Sequence, residues 1–389
     1  MLLVSSAVVA AALHTSVLPP GLAERFARVE WSAERIDALI RRMPKVETHV
    51  HLDGALAPET LVLLAREVPD SALRGLPVEQ VRRRVVVDAP RENLAAVLSA
   101  FGAVLPLLHR APALELAAYE LVAAEARQNV RYVEVRFAPA LHLAPGFGLE
   151  AVLDAVLAGL ERGRRDFGVG SGVIVCFLRP PAYVSLATNR QMLDLALAYR
   201  GRGVVAVDLA GNEAAEPLST YADLFRAAES AGLAATVHAG EVPGSRDLEI
   251  ALGFGVQRLG HATELAHRPD LLAEVIRRGL PIEVNLTSNL RTGAVASYAA
   301  HPVRDWFRAG ATIALSTDDP GIFANDLAGE YAILHRELGF SAAELATVAL
   351  QGIDALFLPA AQRERLRGDL LAELDRILDS LAPPAPSPR

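Results

Sequence analysis

The sequence predicts an α/β protein, a single (β/α)8 TIM barrel with a helical insertion after the first strand and extra terminal helices. Three observations lead to this prediction. Eight short apolar runs alternate with longer helix-like segments along the 389-residue chain. Most of the runs are almost continuously apolar, as parallel strands are when helices cover both faces of a sheet. Polar side chains recur at or just after the carboxyl ends of these runs, and (β/α)8 barrels carry their active sites at that rim.

The predicted strands are short, and helix-like segments separate many of them. The strands comprise residues 45–51, 131–137, 172–178, 204–209, 234–238, 256–259, 281–285 and 312–316. The helix-like segments comprise residues 32–42, 149–165, 189–200, 221–231 and 271–278, with three terminal ones at 331–338, 342–353 and 362–381. Alternation of this kind favours a closed parallel barrel over two separate domains.

The segment between the first and second predicted strands is unusually long. It holds about 80 residues, whereas a single crossover between parallel strands needs about a dozen. Leucine-rich stretches at 93–108 and 114–127 indicate that the insertion is helical. We expect it to form a lid or one wall of a pocket at the barrel rim.

The middle of the chain contains no linker rich in Pro, Gly or Ser, so residues 32–381 are predicted to form one domain. Residues 1–31 are predicted to be an N-terminal extension that is poorly ordered, and residues 382–389, rich in Pro and Ala, a disordered tail. Residues 1–18 are mostly apolar but carry no Lys or Arg, and a secretory signal would have a positive start. A cytoplasmic location is therefore expected, with secretion as the alternative.

The composition argues against two classes of partner. The formal net charge is −8, whereas nucleic-acid binders usually present a basic surface. No stretch beyond the N-terminal run reaches the roughly 20 apolar residues that span a bilayer. The single cysteine, Cys176, can form neither an internal disulfide nor a multi-cysteine metal site, and its apolar surroundings predict a buried thiol.

Three histidines and one aspartate at predicted strand ends suggest a metal site. Side chains two residues apart in a strand point the same way, so His49 and His51 could bind one ion together. His238 closes the fifth predicted strand, and Asp318 follows the eighth. Three imidazoles and one carboxylate suit zinc with an open position for water. The alternative for the first pair is two ordinary histidines in a half-exposed strand.

Further polar residues at the same rim could move protons or contact a ligand. Glu241 follows His238 by three residues and could protonate a ring nitrogen of a substrate, although a surface or helix-capping glutamate is the alternative. His261, after the sixth strand, could orient water or accept its proton. Its alternatives are a fifth metal ligand or a structural histidine. If Asp318 binds metal, Asp319 remains free to hydrogen-bond a substrate. Gly211, Asn285 and Asn289 also lie at predicted strand ends.

Six segments together resemble one enzyme family. They are PKVETHVHLDG at 44–54, YVEVR at 132–136, DLAG at 208–211, TVHAGE at 236–241, LTSN at 286–289 and STDDP at 316–320. In this order they resemble the adenosine deaminases of the amidohydrolase superfamily, and the resemblance extends from about residue 44 to residue 323. Each segment is weak by itself, but the ordered set is specific.

The resemblance implies zinc-dependent hydrolytic deamination of a 6-aminopurine nucleoside, with adenosine or 2′-deoxyadenosine as the substrate and inosine or 2′-deoxyinosine plus ammonia as products. One zinc ion per chain would be bound by His49, His51, His238 and Asp318. Glu241 would protonate purine N1, and His261 together with Asp318 would position and deprotonate the attacking water.

The resemblance also implies the substrate contacts. Asp319 would contact purine N7, the backbone N–H of Gly211 would contact N3, and Asp53 would bind the ribose 5′-hydroxyl. His51 would lie beside the substrate as well. The implied partner is a small molecule, with neither nucleic acid nor membrane involved, and the sequence does not predict an oligomeric state.

Where the sequence departs from the family, it leaves the chemical group at the far end of the substrate undecided. Ala262 and Thr263 follow His261 where many relatives have Gly, and Asn285 stands where many have Cys. Related deaminases act on aminodeoxyfutalosine, adenine or adenine nucleotides. Adenine-specific relatives tend to have Glu where Asp53 stands. The insertion also contains four arginines, Arg74, Arg82, Arg83 and Arg84. If they lay near the site, they would favour a nucleotide as the substrate. The alternative is that they form a charged run exposed to solvent.

Two more distant functions remain as alternatives. Metal-dependent phosphoesterases also begin with an HxH pair near a strand end, but they usually gather two or three metal ions. A barrel that has lost catalysis could serve as a binding protein, although each expected catalytic residue is present here. Since the barrel carries many chemistries, the fold by itself does not decide between these functions.

Overall fold

The computed structural model describes residues 18–180 and 184–381. Nine parallel strand segments form two sheets. They are β1 (Lys45–His51), β2 (Val130–Phe137), β3 (Gly170–Leu178), β4 (Val204–Ala210), β5 (Ala234–Ala235), β6 (His238–Ala239), β7 (Leu259–His261), β8 (Ile282–Val284) and β9 (Ile313–Leu315). One sheet has the order β1 to β5 and the other the order β6 to β9.

The two sheets join into a closed barrel. Residues 234–239 supply both β5 and β6, so that one stretch of chain connects the sheets. On the opposite side, Val50 pairs in parallel with Asp318. There the His51 N–H donates to the Asp318 carbonyl at 2.8 Å, and the Asp318 N–H donates to the His49 carbonyl at 3.0 Å. The predicted (β/α)8 barrel is therefore confirmed.

Two strands differ from their predicted bounds. The fifth was predicted as one strand over 234–238 but is divided at Thr236 and Val237. The sixth was predicted at 256–259, but the strand begins at Leu259, and before it the Gln257 N–H donates to the Ala235 carbonyl at 2.9 Å. The Gln257 side-chain oxygen accepts the Ala235 N–H at 2.7 Å and takes the place of a backbone acceptor. Since an apolar pattern does not show which residues make backbone pairs, the sequence placed this strand too early.

Helices surround the barrel and continue beyond it. They are α1 (Pro20–Arg28), α2 (Ala33–Arg42), α3 (Pro58–Arg66), α4 (Val78–Val85), α5 (Leu94–Leu98), α6 (Ala111–Arg127), α7 (Leu149–Phe167), α8 (Leu186–Ala198), α9 (Ala222–Ser230), α10 (Asp247–Leu252), α11 (Pro269–Arg278), α12 (Leu286–Arg291), α13 (Val303–Arg308), α14 (Pro320–Phe323), α15 (Leu327–Arg336), α16 (Ala342–Ala355) and α17 (Ala360–Leu381). In the described ranges, none is both long and apolar enough to cross a bilayer.

The insertion between β1 and β2 is helical, as predicted, and contains α3 to α6. Two 3-10 turns, Ser99–Ala103 and Leu105–Leu108, connect α5 to α6. Apolar side chains of this segment line the cavity at the barrel rim; they are Leu94, Val97, Leu98, Phe101 and Leu105. The insertion therefore supplies one wall of that cavity.

The described part of the predicted N-terminal extension is folded. Helix α1 buries Leu22 and Phe26, because its apolar residues lie on one face. Arg25 forms ion pairs with Asp375 and Asp379 of α17. Residues 1–17, which hold most of the apolar N-terminal run, and residues 382–389, the predicted tail, lie outside the described residues.

Candidate active site

A cavity of about 210 Å³ opens at the carboxyl ends of the strands. Most of the predicted site residues line it; they are His51, Asp53, Gly211, His238, Glu241, His261, Asp318 and Asp319. The remaining one, His49, is fully buried and lies 3.2 Å from Asp318 through its Nε2 atom. The barrel thus brings together residues that are up to 270 positions apart in the sequence.

Three histidines and Asp318 form a compact cluster whose ligand atoms all lie within 4.8 Å of one another. His51 Nε2 is 3.3 Å from His238 Nε2 and 3.3 Å from Asp318 Oδ1. In a tetrahedral site with metal–ligand distances of about 2.0–2.1 Å, neighbouring ligand atoms are roughly 3.3–3.4 Å apart. The spacings of His51 from His238 and from Asp318 therefore suit the binding of one divalent metal ion.

Buried carboxylates orient two of these imidazoles. Glu283 Oε2 lies 2.8 Å from His49 Nδ1, and Asp208 Oδ2 lies 3.0 Å from His238 Nδ1. A carboxylate can only accept, so each Nδ1 carries the proton and each Nε2 is left with a free lone pair for a metal. Arg136 lies between the two carboxylates and donates to both at 2.9 Å.

Charge pairing keeps both carboxylates ionised. Burial alone would raise the pKa of Glu283, but the Arg136 and Arg258 guanidinium groups hold it well below its usual range. The pKa of Asp208 is likewise lowered, by His238 and Arg136 against the effect of burial. Sequence reasoning assigned no role to Arg136, Asp208 or Glu283. The signal that could have found them is a charged residue inside an otherwise apolar strand.

Glu241 is a buried acid beside the metal cluster. Its Oε2 lies 3.7 Å from His261 Nε2, and only 6% of the residue is exposed. Burial, followed by the nearby Asp318 carboxylate, raises the pKa of Glu241 to about 8. A carboxylic acid with this pKa keeps its proton at neutral pH and can donate it to a ligand in the cavity.

The backbone around Glu241 is held by one side chain from the β4 loop. The Glu213 carboxylate accepts the N–H groups of Gly240, Glu241 and Val242 at 2.6, 2.9 and 2.9 Å. Gly240 has φ +74°, a left-handed conformation that turns successive N–H groups toward one anion. Sequence reasoning did not identify Glu213, which lies only two residues after Gly211.

Asp319 fits its position because residue 54 is glycine. A Cβ at Gly54 would lie 1.7 Å from Asp319 Oδ1, and that oxygen has no hydrogen-bond partner within the described residues. Burial, followed by the Asp318 and Asp53 carboxylates, raises the pKa of Asp319 well above its usual range. This shift favours the protonated form of Asp319, which can donate a hydrogen bond.

Asp53 lies just beyond β1 and is also buried, which raises its pKa to about 6. His142 Nε2 lies 3.9 Å from Asp53 Oδ2. Gly211 follows β4 with φ +97°, and a Cβ there would lie 3.3 Å from the Arg179 backbone. The positive φ favours glycine at this position, and Gly211 lines the cavity without a side chain.

The arginines of the insertion do not line the cavity. Arg83 pairs with Glu79 of its own helix at 3.4 Å, and Arg84 donates to the Ala72 carbonyl at 2.8 Å. Apolar side chains line that side of the cavity instead, including Phe323 from α14. Sequence reasoning predicted that the insertion forms a wall or lid but did not identify these individual side chains, because they have the same spacing as ordinary core residues of short helices.

Comparisons with known proteins give consistent results. The model of the family described as adenosine deaminase matches residues 44–373. A protein named adenosine deaminase from Lacticaseibacillus paracasei is 35% identical over 333 residues, covering 85% of this chain and 96% of the relative. An amidohydrolase from Burkhoderia ambifaria, solved with bound Zn, is 27% identical with a TM-score of 0.80, covering 91% of this chain and 96% of that one.

A second solved structure has a different named substrate. The N6-mAMP deaminase of Arabidopsis is 27% identical to this chain with a TM-score of 0.75, covering 88% of this chain and 99% of the other. The choice between nucleoside and nucleotide must therefore come from the cavity of this chain.

Proposed function

Since this chain belongs to the adenosine deaminase family, we propose that it hydrolytically deaminates adenosine and 2′-deoxyadenosine to inosine and 2′-deoxyinosine with release of ammonia. The observation that carries this proposal is one cavity that holds a four-ligand metal cluster and the buried acid Glu241. The free cysteine, Cys176, is buried and suits a reducing cytoplasm, where we propose the protein acts in purine metabolism.

Zinc is the metal we propose, one ion per chain, held by His49, His51, His238 and Asp318. Three imidazole ligands and one carboxylate suit this ion. When bound, zinc acts as a Lewis acid and lowers the pKa of water toward neutrality.

The protein groups supply the proton transfers. Glu241 donates its proton to purine N1, which makes C6 more electrophilic, and water adds to C6. His261 and Asp318 position this water and remove its proton. The C6–N bond then breaks, ammonia leaves, and a 6-oxopurine remains. One proton of the water leaves with the amino group as ammonia, and the second returns Glu241 to its acid form as the C6–O double bond forms.

Three further groups bind the substrate in this proposal. Asp319, as a neutral acid, donates to purine N7, because N7 has only a lone pair to offer. The backbone N–H of Gly211 donates to N3. Asp53 hydrogen-bonds the ribose 5′-hydroxyl, and His51 lies beside the substrate.

The cavity favours a nucleoside over a nucleotide. Among the described residues, Arg179 is the single Arg or Lys that lines it. Arg179 Nη2 donates to Asp247 at 2.7 Å and to the His238 carbonyl at 3.2 Å, so the Asp247 carboxylate already balances its charge, although Nε and Nη1 have no hydrogen-bond partner among the described residues. A buried phosphate needs charged or multiple hydrogen-bond partners, and an apolar wall supplies neither.

Ammonia release by the zinc-loaded protein tests this function. Adenosine, 2′-deoxyadenosine, adenine, AMP and aminodeoxyfutalosine are compared at equal concentration. We expect chelator-sensitive release that is fastest with the two nucleosides. Faster release from AMP would overturn the nucleoside assignment, and release from none of the five would overturn the proposed function.

Asp53→Ala is expected to lower kcat/KM for adenosine more than kcat/KM for free adenine. The buried carboxyl loses its hydrogen bond to the 5′-hydroxyl, which is worth about 1–3 kcal/mol, or roughly 5- to 150-fold in kcat/KM. Adenine has no ribose and should lose much less. The measurement is kcat/KM for adenosine, 5′-deoxyadenosine and adenine with both proteins. Equal losses for all three would remove Asp53 from the ribose site.

Glu213→Gln is expected to lower kcat by about 10- to 100-fold. Glutamine replaces one of the two carboxylate oxygens with an NH2 group, and this group faces backbone N–H groups but cannot accept hydrogen bonds from them. The matched control is Glu216→Gln on the same loop, whose carboxylate accepts from the Tyr221 hydroxyl. Activity is measured per bound metal ion, so that unfolded protein does not count. Similar kcat values for the two variants would contradict the role of Glu213.

A further inference from the structure

The Nδ1 atom of His261 is the end of a hydrogen-bond chain that begins at a backbone amide. The Val303 N–H donates to His301 Nδ1 at 3.1 Å. His301 Nε2 lies 3.1 Å from Asn289 Oδ1, and Asn289 Nδ2 lies 3.0 Å from His261 Nδ1. The three side chains are almost fully buried, with 0–3% of each residue exposed.

The backbone amide decides the direction of each bond in this chain. An N–H can only donate, so His301 Nδ1 must accept and carries no proton. Burial lowers the pKa of His301 to about 3, and the neutral ring has its single proton on Nε2. His301 Nε2–H therefore donates to Asn289, which turns its oxygen toward His301 and its NH2 group toward His261.

The same logic fixes the proton of His261. Asn289 donates to His261 Nδ1, and a second N–H at that atom would face the amide hydrogens at 3.0 Å. The proton of the neutral imidazole must then be on Nε2. This atom points into the cavity, 3.7 Å from Glu241 Oε2 and 4.0 Å from Asp318 Oδ2.

We propose that Asn289 and His301 are positioning residues that hold His261 as the Nε2–H tautomer, so that His261 donates a hydrogen bond to the attacking oxygen instead of removing its proton. The inference rests on the proposed deaminase function and divides a task that His261 and Asp318 would otherwise share. An Nε2 atom that already carries hydrogen has no lone pair to accept another proton.

The remaining base is the free oxygen of Asp318. Asp318 Oδ1 faces His49 and His51 in the metal cluster, whereas Oδ2 faces His261. In the first step, the O–H bond of the water breaks, its electron pair forms the C6–O bond, and its proton moves to Asp318 Oδ2. The proton of Glu241 moves to N1. As the C6–N bond breaks, the Asp318 proton leaves with the amino group in ammonia, and the remaining hydroxyl proton returns to Glu241 while the C6–O double bond forms.

Two substitutions at Asn289 separate this role from simple packing. Asn289→Asp keeps the shape and still accepts from His301, but its second oxygen accepts from His261 Nδ1–H and inverts the tautomer. We expect kcat to fall on the order of 10²-fold or more, as wrong tautomers do in other enzymes. Asn289→Ala leaves only the Asn285 NH2 group, 3.4 Å from His261 Nδ1, to bias the tautomer, and we expect a loss of about 10-fold. KM for adenosine should change little in both.

A packing role predicts the opposite order. The Ala variant leaves a buried gap and an unpaired His301, whereas Asp fills the same volume. If Asn289→Asp retained more activity than Asn289→Ala, the proposal would be overturned. Melting temperature and bound metal are measured for both variants, so that only folded, loaded protein enters the comparison.

The tautomer is read directly by ¹⁵N NMR of the zinc-loaded wild-type protein, with His261→Gln used to assign the ring signals. We expect a protonated Nε2 and an unprotonated Nδ1 in the wild type, and a protonated Nδ1 in Asn289→Asp. A protonated Nδ1 in the wild type would overturn the proposal. This measurement needs no turnover, so it stands apart from the substrate assay, which alone tests the deaminase function.

Discussion

Replacing Glu241 with Gln is expected to lower kcat on adenosine on the order of 10³-fold while leaving KM and bound zinc nearly unchanged. The amide has the shape of the acid and can still hydrogen-bond N1, but it has no proton to transfer. Without protonation of N1, addition of water to C6 places negative charge on the purine ring. The loss should therefore appear in the chemical step and not in binding.

The measurement compares kcat and KM of the wild type and Glu241→Gln at equal zinc content. Glu249→Gln is the matched control, because Glu249 makes surface ion pairs with Arg246 and Arg268 outside the cavity. We expect the control to remain within about 2-fold of the wild type. Turnover by Glu241→Gln at the wild-type rate would end the assignment of Glu241 as the acid.

The pH profile of the wild type should report the same group. Glu241 must be protonated to act, and its pKa is raised to about 8. The active form therefore predominates below this pH, and kcat/KM should fall as the pH rises through it. A bound zinc ion favours the ionised carboxylate, so it lowers the pKa of Glu241 and moves this fall in kcat/KM to lower pH. The Glu241→Gln variant should not show the fall. An equally large fall in that variant would assign the titration to another residue.

Removing the metal is expected to abolish deamination and to destabilise the protein. The three imidazoles and Asp318 bind an ion only when the barrel is folded, so zinc at about 100 times its Kd stabilises the native state by about 2.7 kcal/mol. A chelator should take activity to background, and added zinc should restore it. The apo protein should still fold, because Glu283 and Asp208 already orient two of the histidines.

A ligand substitution checks that the effect belongs to this cluster. His238→Ala should lose both bound zinc and activity, whereas His335→Ala should retain them, because His335 hydrogen-bonds the Phe340 carbonyl outside the cavity. Metal content by elemental analysis and the melting temperature are measured with activity. Wild-type turnover in thoroughly metal-free protein would contradict the proposed chemistry.

Much of this protein follows from the sequence alone. The alternation of apolar runs with helical segments determines a barrel, because parallel strands covered on both faces need long apolar runs. The two-residue spacing of His49 and His51 places them on one side of a strand. The position of Glu241 and of the Asp318–Asp319 pair just past strand ends places them at one rim. These positions predicted the candidate metal cluster and the acid beside it, and the barrel brings them to one cavity, whereas the substrate contacts are implied by the family resemblance.

Only the tertiary structure showed which residues hold the predicted site residues in place. Arg136 meets Asp208 across 72 positions of the sequence, and His49 meets Glu283 across 234. The chain from Val303 through His301 and Asn289 to His261 likewise joins α13, α12 and β7. Periodicity describes which side of its own element a residue occupies. Periodicity does not show which partner the residue contacts or where that contact places a proton. Both depend on how the closed barrel brings distant elements together.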